Sequence, residues 1–176
     1  MGIATDMSPA QPSGSQPYTR WEIDARLFDE RMQEIDRFTC RQDLLIGPEE
    51  FVVRLTRLDA AGRDGRYEDR GSLYDSTVIQ GVTGFGGRLD GRLLKNGGVF
   101  LEGKGGDVDF ILVATPTGPD HFRCFRRFEV KQPTIVWGKR VNAGTYFATT
   151  EDQLIEVAPQ APAEVLEPLS PLRKEA

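Results

Sequence analysis

A chain of 176 residues, 39% hydrophobic and 28% charged, has the composition of one globular domain that buries a core without metals or disulfides. Its net charge of −5 excludes a protein that coats nucleic acid with its whole surface. No apolar run approaches the ~18 residues of a membrane-spanning helix, and the opening residues carry no basic-then-apolar leader, so a cytoplasmic protein is expected. The two cysteines, Cys40 and Cys124, stand too far apart for a CxxC motif and are expected as reduced, buried thiols.

Residues 1–17 are rich in Pro, Ser, Gly and Gln and are expected to form a flexible arm. From Thr19 the sequence carries a helix-start signal: Thr19 and Glu22 in capping-box spacing, with Tyr18 and Ile23 as a hydrophobic staple. Trp21, Ala25, Phe28, Met32 and Ile35 then recur every three or four residues, which predicts an amphipathic helix over 19–37. Beyond Cys40 the period changes. Residues 44–46 form a short apolar run, and 51–58, FVVRLTRL, has the β-branched and aromatic content of a strand. The charged, glycine-bearing stretch 60–71 predicts a solvated hairpin tip, and 76–82 the next strand.

Between Gly81 and Phe110, ten of thirty residues are glycine. Turn signals at 84–87, 96–98 and 103–106 separate short strands at 87–94 and 99–102. Residues 108–114, VDFILVA, predict a central strand, and 122–130, FRCFRRFEV, an alternating one whose apolar face is interrupted by Arg126. Short strands are expected at 134–137, 145–148 and 153–157, and a Pro-rich tail over 159–176. These elements predict an α+β, mainly β fold, with the N-terminal helix followed by an antiparallel β-sandwich or small barrel of about 8–10 short strands in a single domain over 18–158.

No catalytic constellation survives inspection. Residues 98–104 match the phosphate-loop spacing GxxxxGK, but Gly105 stands where the magnesium-binding hydroxyl belongs and Asp107 and Asp109 follow. Gly84 and Gly86 begin a dinucleotide fingerprint that Leu89 breaks. The single histidine, His121, is too few for a His-rich metal site. Glu102, Asp107 and Asp109 are read as a solvated strand edge, so neither a metal nor a cofactor is expected.

The strongest local signal is electrostatic. Arg123, Arg126, Arg127, Lys131, Lys139 and Arg140 face one acid, Glu129, within twenty residues, and Phe125 and Trp137 lie among them. The leading expectation is a non-catalytic subunit or adaptor that contacts an acidic protein partner, or a second copy of itself, through this segment. The alternative is an enzyme or binder for an anionic, for example phosphorylated, small molecule, with a site at a barrel mouth where the glycine loops of 84–106, with Gly84, Gly86 and Gly87, meet Arg123, Arg127 and His121. Single-stranded nucleic acid is a second, weaker alternative.

Overall fold

The computed structural model describes residues 18–59 and 65–169. The predicted arm at 1–17 and the last residues of the tail fall outside them. Ten antiparallel strands close into one barrel. In chain order these are β1 (Tyr18–Phe28), β2 (Glu34–Ile46), β3 (Glu50–Arg57), β4 (Arg66–Tyr74), β5 (Val78–Val82), β6 (Arg88–Leu93), β7 (Val99–Lys104), β8 (Val108–Gly118) and β9 (His121–Val130). A small hairpin, β10 (Thr134–Val136) and β11 (Lys139–Val141), precedes the long β12 (Gly144–Ala158), which pairs with both β9 and β1 and closes the sheet. Each of β1–β9 otherwise pairs with its neighbours in sequence.

The predicted N-terminal helix does not form: its residues are β1, a turn and the start of β2. Helical spacing at 21, 25 and 28 passed over Ile23 and Leu27. With these two included, Trp21, Ile23, Ala25 and Leu27 are all buried while Glu22, Asp24 and Arg26 are exposed. That is the period-two pattern of a half-buried strand. The turn between the strands is built by Asp29, whose carboxylate accepts the Arg31 and Gln33 amides, and Met32 sits there at φ 63, more than half exposed. Thr19 does not cap a helix; its hydroxyl accepts the Trp21 indole N–H at 2.9 Å. The fold is therefore nearly all β, a closed barrel and not a sandwich.

Of the charged stretch 60–71, the tip at 60–64 lies outside the described residues, and 66–71 belong to β4 and not to a loop. The charges are accommodated because Asp69 points inward while Glu68 and Arg70, on the outer face, lie under the C-terminal segment. Glycine has a structural role where β4 and β5 meet. Gly71 pairs with Gly81, and a Cβ on Gly81 would come within 2.4 Å of the Gly71 Cα. The two backbones approach more closely there than any side chain permits, as at a barrel corner.

Two elements complete the body. The β10–β11 hairpin folds under one end of the barrel, burying Val136, Trp137 and Val141 in the main core. Residues 159–169 lie along the outer face of β1–β4. There a single helical turn, α1 (Ala163–Leu166), places Val165 against Tyr18, Leu45 and Val52, all essentially inaccessible. Arg54 anchors this segment by donating to the Glu164 and Glu167 carbonyls at 2.7 and 2.6 Å, supplying partners that a helix C-terminus lacks. Among the described residues no helix is long and apolar enough to cross a membrane.

Candidate functional site

Strand direction fixes which loops share an end. The turns at 29–33, 83–87 and 105–107 lie at the end closed by the β10–β11 hairpin; those at 47–49, 75–77, 94–98 and 119–120 lie at the other. A cavity of about 720 Å³ runs from the Trp137 ring to the second end, where it opens beside Leu94, Ile46 and Phe122. Eight strands make a barrel just wide enough for side chains or one small ligand, and ten leave more room. Leu55, Leu101, Phe110, Leu112 and Phe128 make much of the wall.

The floor is built around Trp137. It sits in the two-residue turn of the β10–β11 hairpin at φ 50, followed by Gly138 at φ 80. Its ring packs edge-on against Phe38 and Phe128, at centroid distances of 5.8 and 5.4 Å. Arg57 donates to its carbonyl at 2.9 Å.

Against this apolar lining stand a few buried polar groups. Arg126, 4% exposed, lies over the Trp137 ring at 4.9 Å from the centroid, and its guanidinium donates to the Thr150 hydroxyl at 3.4 Å. Asp152, equally buried, accepts the Cys124 thiol at 3.2 Å on Oδ2, while Oδ1 has no partner. Asp69 accepts the Tyr67 hydroxyl and, at 3.1 Å, the Gly84 amide. Burial pushes the Asp69 carboxyl up to about 6 against the pull of these bonds and of Arg126, and it raises Asp152 above the usual carboxylate range as well. Arg126 lies within 4 Å of neither carboxylate, so the three form an electrostatic group without a direct ion pair. Cys40 and Cys124 are unbonded, and burial pushes both thiols up to about 12, far from a reactive thiolate.

The basic segment is divided between inside and outside. Arg126 and Trp137 join the interior. Arg123, Phe125 and Arg127 face solvent, with Arg123 paired to Glu151 at 2.8 Å and Arg127 to Glu129 at 2.5 Å. Lys131 pairs with Asp109 at 3.0 Å. Lys139 and Arg140 lie on β11, beneath the closed end. The alternative grouping is separated along the barrel axis. His121 is exposed at the open end, whereas Gly84, Gly86 and Gly87 turn the chain at the closed end. Gly84 there presses on Tyr67, whose ring a Cβ would meet at 2.5 Å.

The signal for the interior polar groups was parity. Arg126 interrupts an inward apolar series in β9, and Asp152 and Asp69 occupy the inward positions of β12 and β4. Among the described residues no three His, Cys, Asp or Glu side chains converge as a metal site. Scans against protein-family models, curated proteins and solved structures returned no match, so the site stands on its geometry alone.

Proposed function

We propose that the protein is a binder or carrier of a largely apolar small molecule, held inside the barrel and admitted at the end opposite Trp137. The observation that carries this is the apolar-walled cavity of about 720 Å³, room for roughly two dozen waters at ~30 Å³ each. Water in such a space has few partners, so an apolar occupant that displaces it is favoured. The small-molecule reading from the sequence thus moves from the loops to the interior, and the ligand is recognised chiefly by its apolar body.

The test is binding of N-phenyl-1-naphthylamine, an uncharged probe that fluoresces on leaving water. A saturable enhancement at a one-to-one ratio is expected. Ala114→Trp, which fills the wall near the opening, should abolish most of the enhancement while the circular dichroism stays that of the parent. No enhancement with the parent protein overturns the reading.

A second reading is contact with another protein, or with a second copy, through the outer face of β8 and β9. Ile111, Val113 and Phe125 are exposed there beside Arg123 and Arg127. A concentration-dependent sedimentation coefficient that Phe125→Asp abolishes supports self-association; monomeric behaviour up to high micromolar concentration counts against it.

A further inference from the structure

An apolar wall does not specify what polar group the ligand carries, and two side chains bear on that. Arg126 has five N–H donors in a fixed fork. Among the described residues it makes a single side-chain hydrogen bond, the long one to Thr150, and no carboxylate lies within 4 Å. Asp152 presents the opposite deficiency: its Oδ1 has no solvent access and no partner in hydrogen-bond geometry, although the nearby Thr150 hydroxyl, which accepts from Arg126, pulls the carboxyl down. Both residues are 4% exposed, sit on the paired strands β9 and β12, and line the same cavity. A buried charged group left without partners is costly, and a ligand that supplies them recovers that cost.

Resting on the reading above, we propose that Arg126 and Asp152 together recognise the polar end of the ligand, and that this end is uncharged and carries an acceptor beside a donor, as a carboxamide or lactam does. The carbonyl oxygen accepts from Arg126 and the N–H donates to Asp152 Oδ1. Charge excludes the simpler candidates. A carboxylate or phosphate adds a further negative charge to a space where Arg126 already faces Asp69 and Asp152. An ammonium reaches Asp152 only against the Arg126 cation. An uncharged head with both functions satisfies the two groups without adding charge to a low-dielectric interior. Sites built to hydrogen-bond a particular group discriminate strongly against analogues that lack it, because their own buried groups are then left unpaired.

The experiment is displacement of bound N-phenyl-1-naphthylamine by dodecanamide, dodecanoate and dodecylamine, three ligands with one tail and different heads, each below its critical micelle concentration. Dodecanamide is expected to displace at a concentration at least tenfold lower than either ion. Asp152→Asn keeps the size of the side chain and removes its charge, and it should bring dodecanoate to within about threefold of the amide. Arg126→Met should remove the advantage of the amide. Probe binding by the parent protein with a flat series, or with dodecanoate or dodecylamine preferred, overturns the assignment of Arg126 and Asp152 and leaves the cavity reading standing. Failure of the parent to bind the probe removes both. The series on the parent protein decides the matter even if Arg126→Met does not fold.

Discussion

The guanidinium of Arg126 lies over the indole of Trp137, 4.9 Å from the ring centroid, so a buried cation and the ring that closes the barrel stabilise one another. This contact joins the floor of the cavity to its polar group. It depends on a backbone conformation that a tryptophan seldom adopts, since Trp137 occupies the left-handed region at φ 50 in a tight hairpin turn. Strain of this kind persists where surrounding contacts over-determine it, and here those are the edge-on packing with Phe38 and Phe128 and the hydrogen bond from Arg57.

Trp137→Asn separates the two effects. Asparagine suits the left-handed position and relieves ~1–2 kcal/mol of strain, whereas removing a buried tryptophan ring costs about 3–5 kcal/mol. A net loss of about 1–4 kcal/mol is expected in urea unfolding, together with weaker binding of N-phenyl-1-naphthylamine because the floor is open. A variant as stable as the parent would mean that the hairpin, not the ring, closes the barrel.

Asp69 makes stability depend on pH in a defined direction. Burial is the main cause of its raised value, about 6 against an ordinary 3.8, despite the Tyr67 and Gly84 hydrogen bonds and the attraction of Arg126. The folded state therefore holds the Asp69 proton more tightly than the unfolded chain does. Its contribution is fully present below about pH 4, is lost as pH rises through about 6, and is flat above about 7. A rise from 3.8 to about 6 corresponds to about 3 kcal/mol. Asp69→Asn retains an acceptor for Tyr67 and Gly84 but cannot ionise. The stability of the parent minus that of this variant, from urea melts between pH 4 and 7, should fall by up to that amount. A difference independent of pH would show that Asp69 is solvated in the folded state.

The outer arginines should matter little to stability. Arg123 and Glu151 are both about two-thirds exposed, and exposed pairs contribute about 0–1 kcal/mol. Arg123→Ala and Arg127→Ala are each expected to shift the urea midpoint only slightly and to leave probe binding unchanged. Loss of probe binding in either would return these residues to the ligand site.

What the sequence disclosed followed from period and composition. The dense turns at 84–87, 96–98 and 103–106 and the alternation in 122–130 made a body of short antiparallel strands legible but left sandwich and barrel open. The structure closes the strands into a barrel, with the third turn starting only at Gly105. The first strand was not legible, because Trp21, Ala25 and Phe28 satisfy a helical spacing while Trp21, Ile23, Ala25 and Leu27 satisfy a strand's. Only long-range pairing with β2 and β12 settles which pattern forms. The cavity was hidden for a related reason. Arg126 breaks an apolar face whether it lies in a solid core or beside a space, and sequence spacing carries no measure of barrel width. Nor could the sequence foretell that Val52 and Leu45, on the outer parity of their strands, are covered by residues 159–169.

That covering segment provides the sharpest test of how the exterior is held. Arg54 is almost fully buried. It forks onto Glu68 at 3.0 and 2.8 Å and donates to the Glu164 and Glu167 carbonyls. Burial pushes the Glu68 carboxyl up, but Arg70 and Arg54 together hold it below its ordinary value. Arg54→Met therefore removes both a charge partner and two anchors of the α1 turn. Losing one member of a buried pair costs about 3–5 kcal/mol, and because Arg70 still contacts Glu68 at 2.9 Å the lower end is expected. Hydrogen exchange should show Val165 and Leu166 amides losing protection while those of β8 and β9 keep theirs. Replacing both members, as Arg54→Met with Glu68→Met, removes the buried pair, leaves Arg70 with Glu50 at 3.9 Å, and should recover part of the stability without restoring protection at α1. Full protection of α1 in the double variant would mean that Val165 in its apolar seat, and not the Arg54 hydrogen bonds, holds the segment in place.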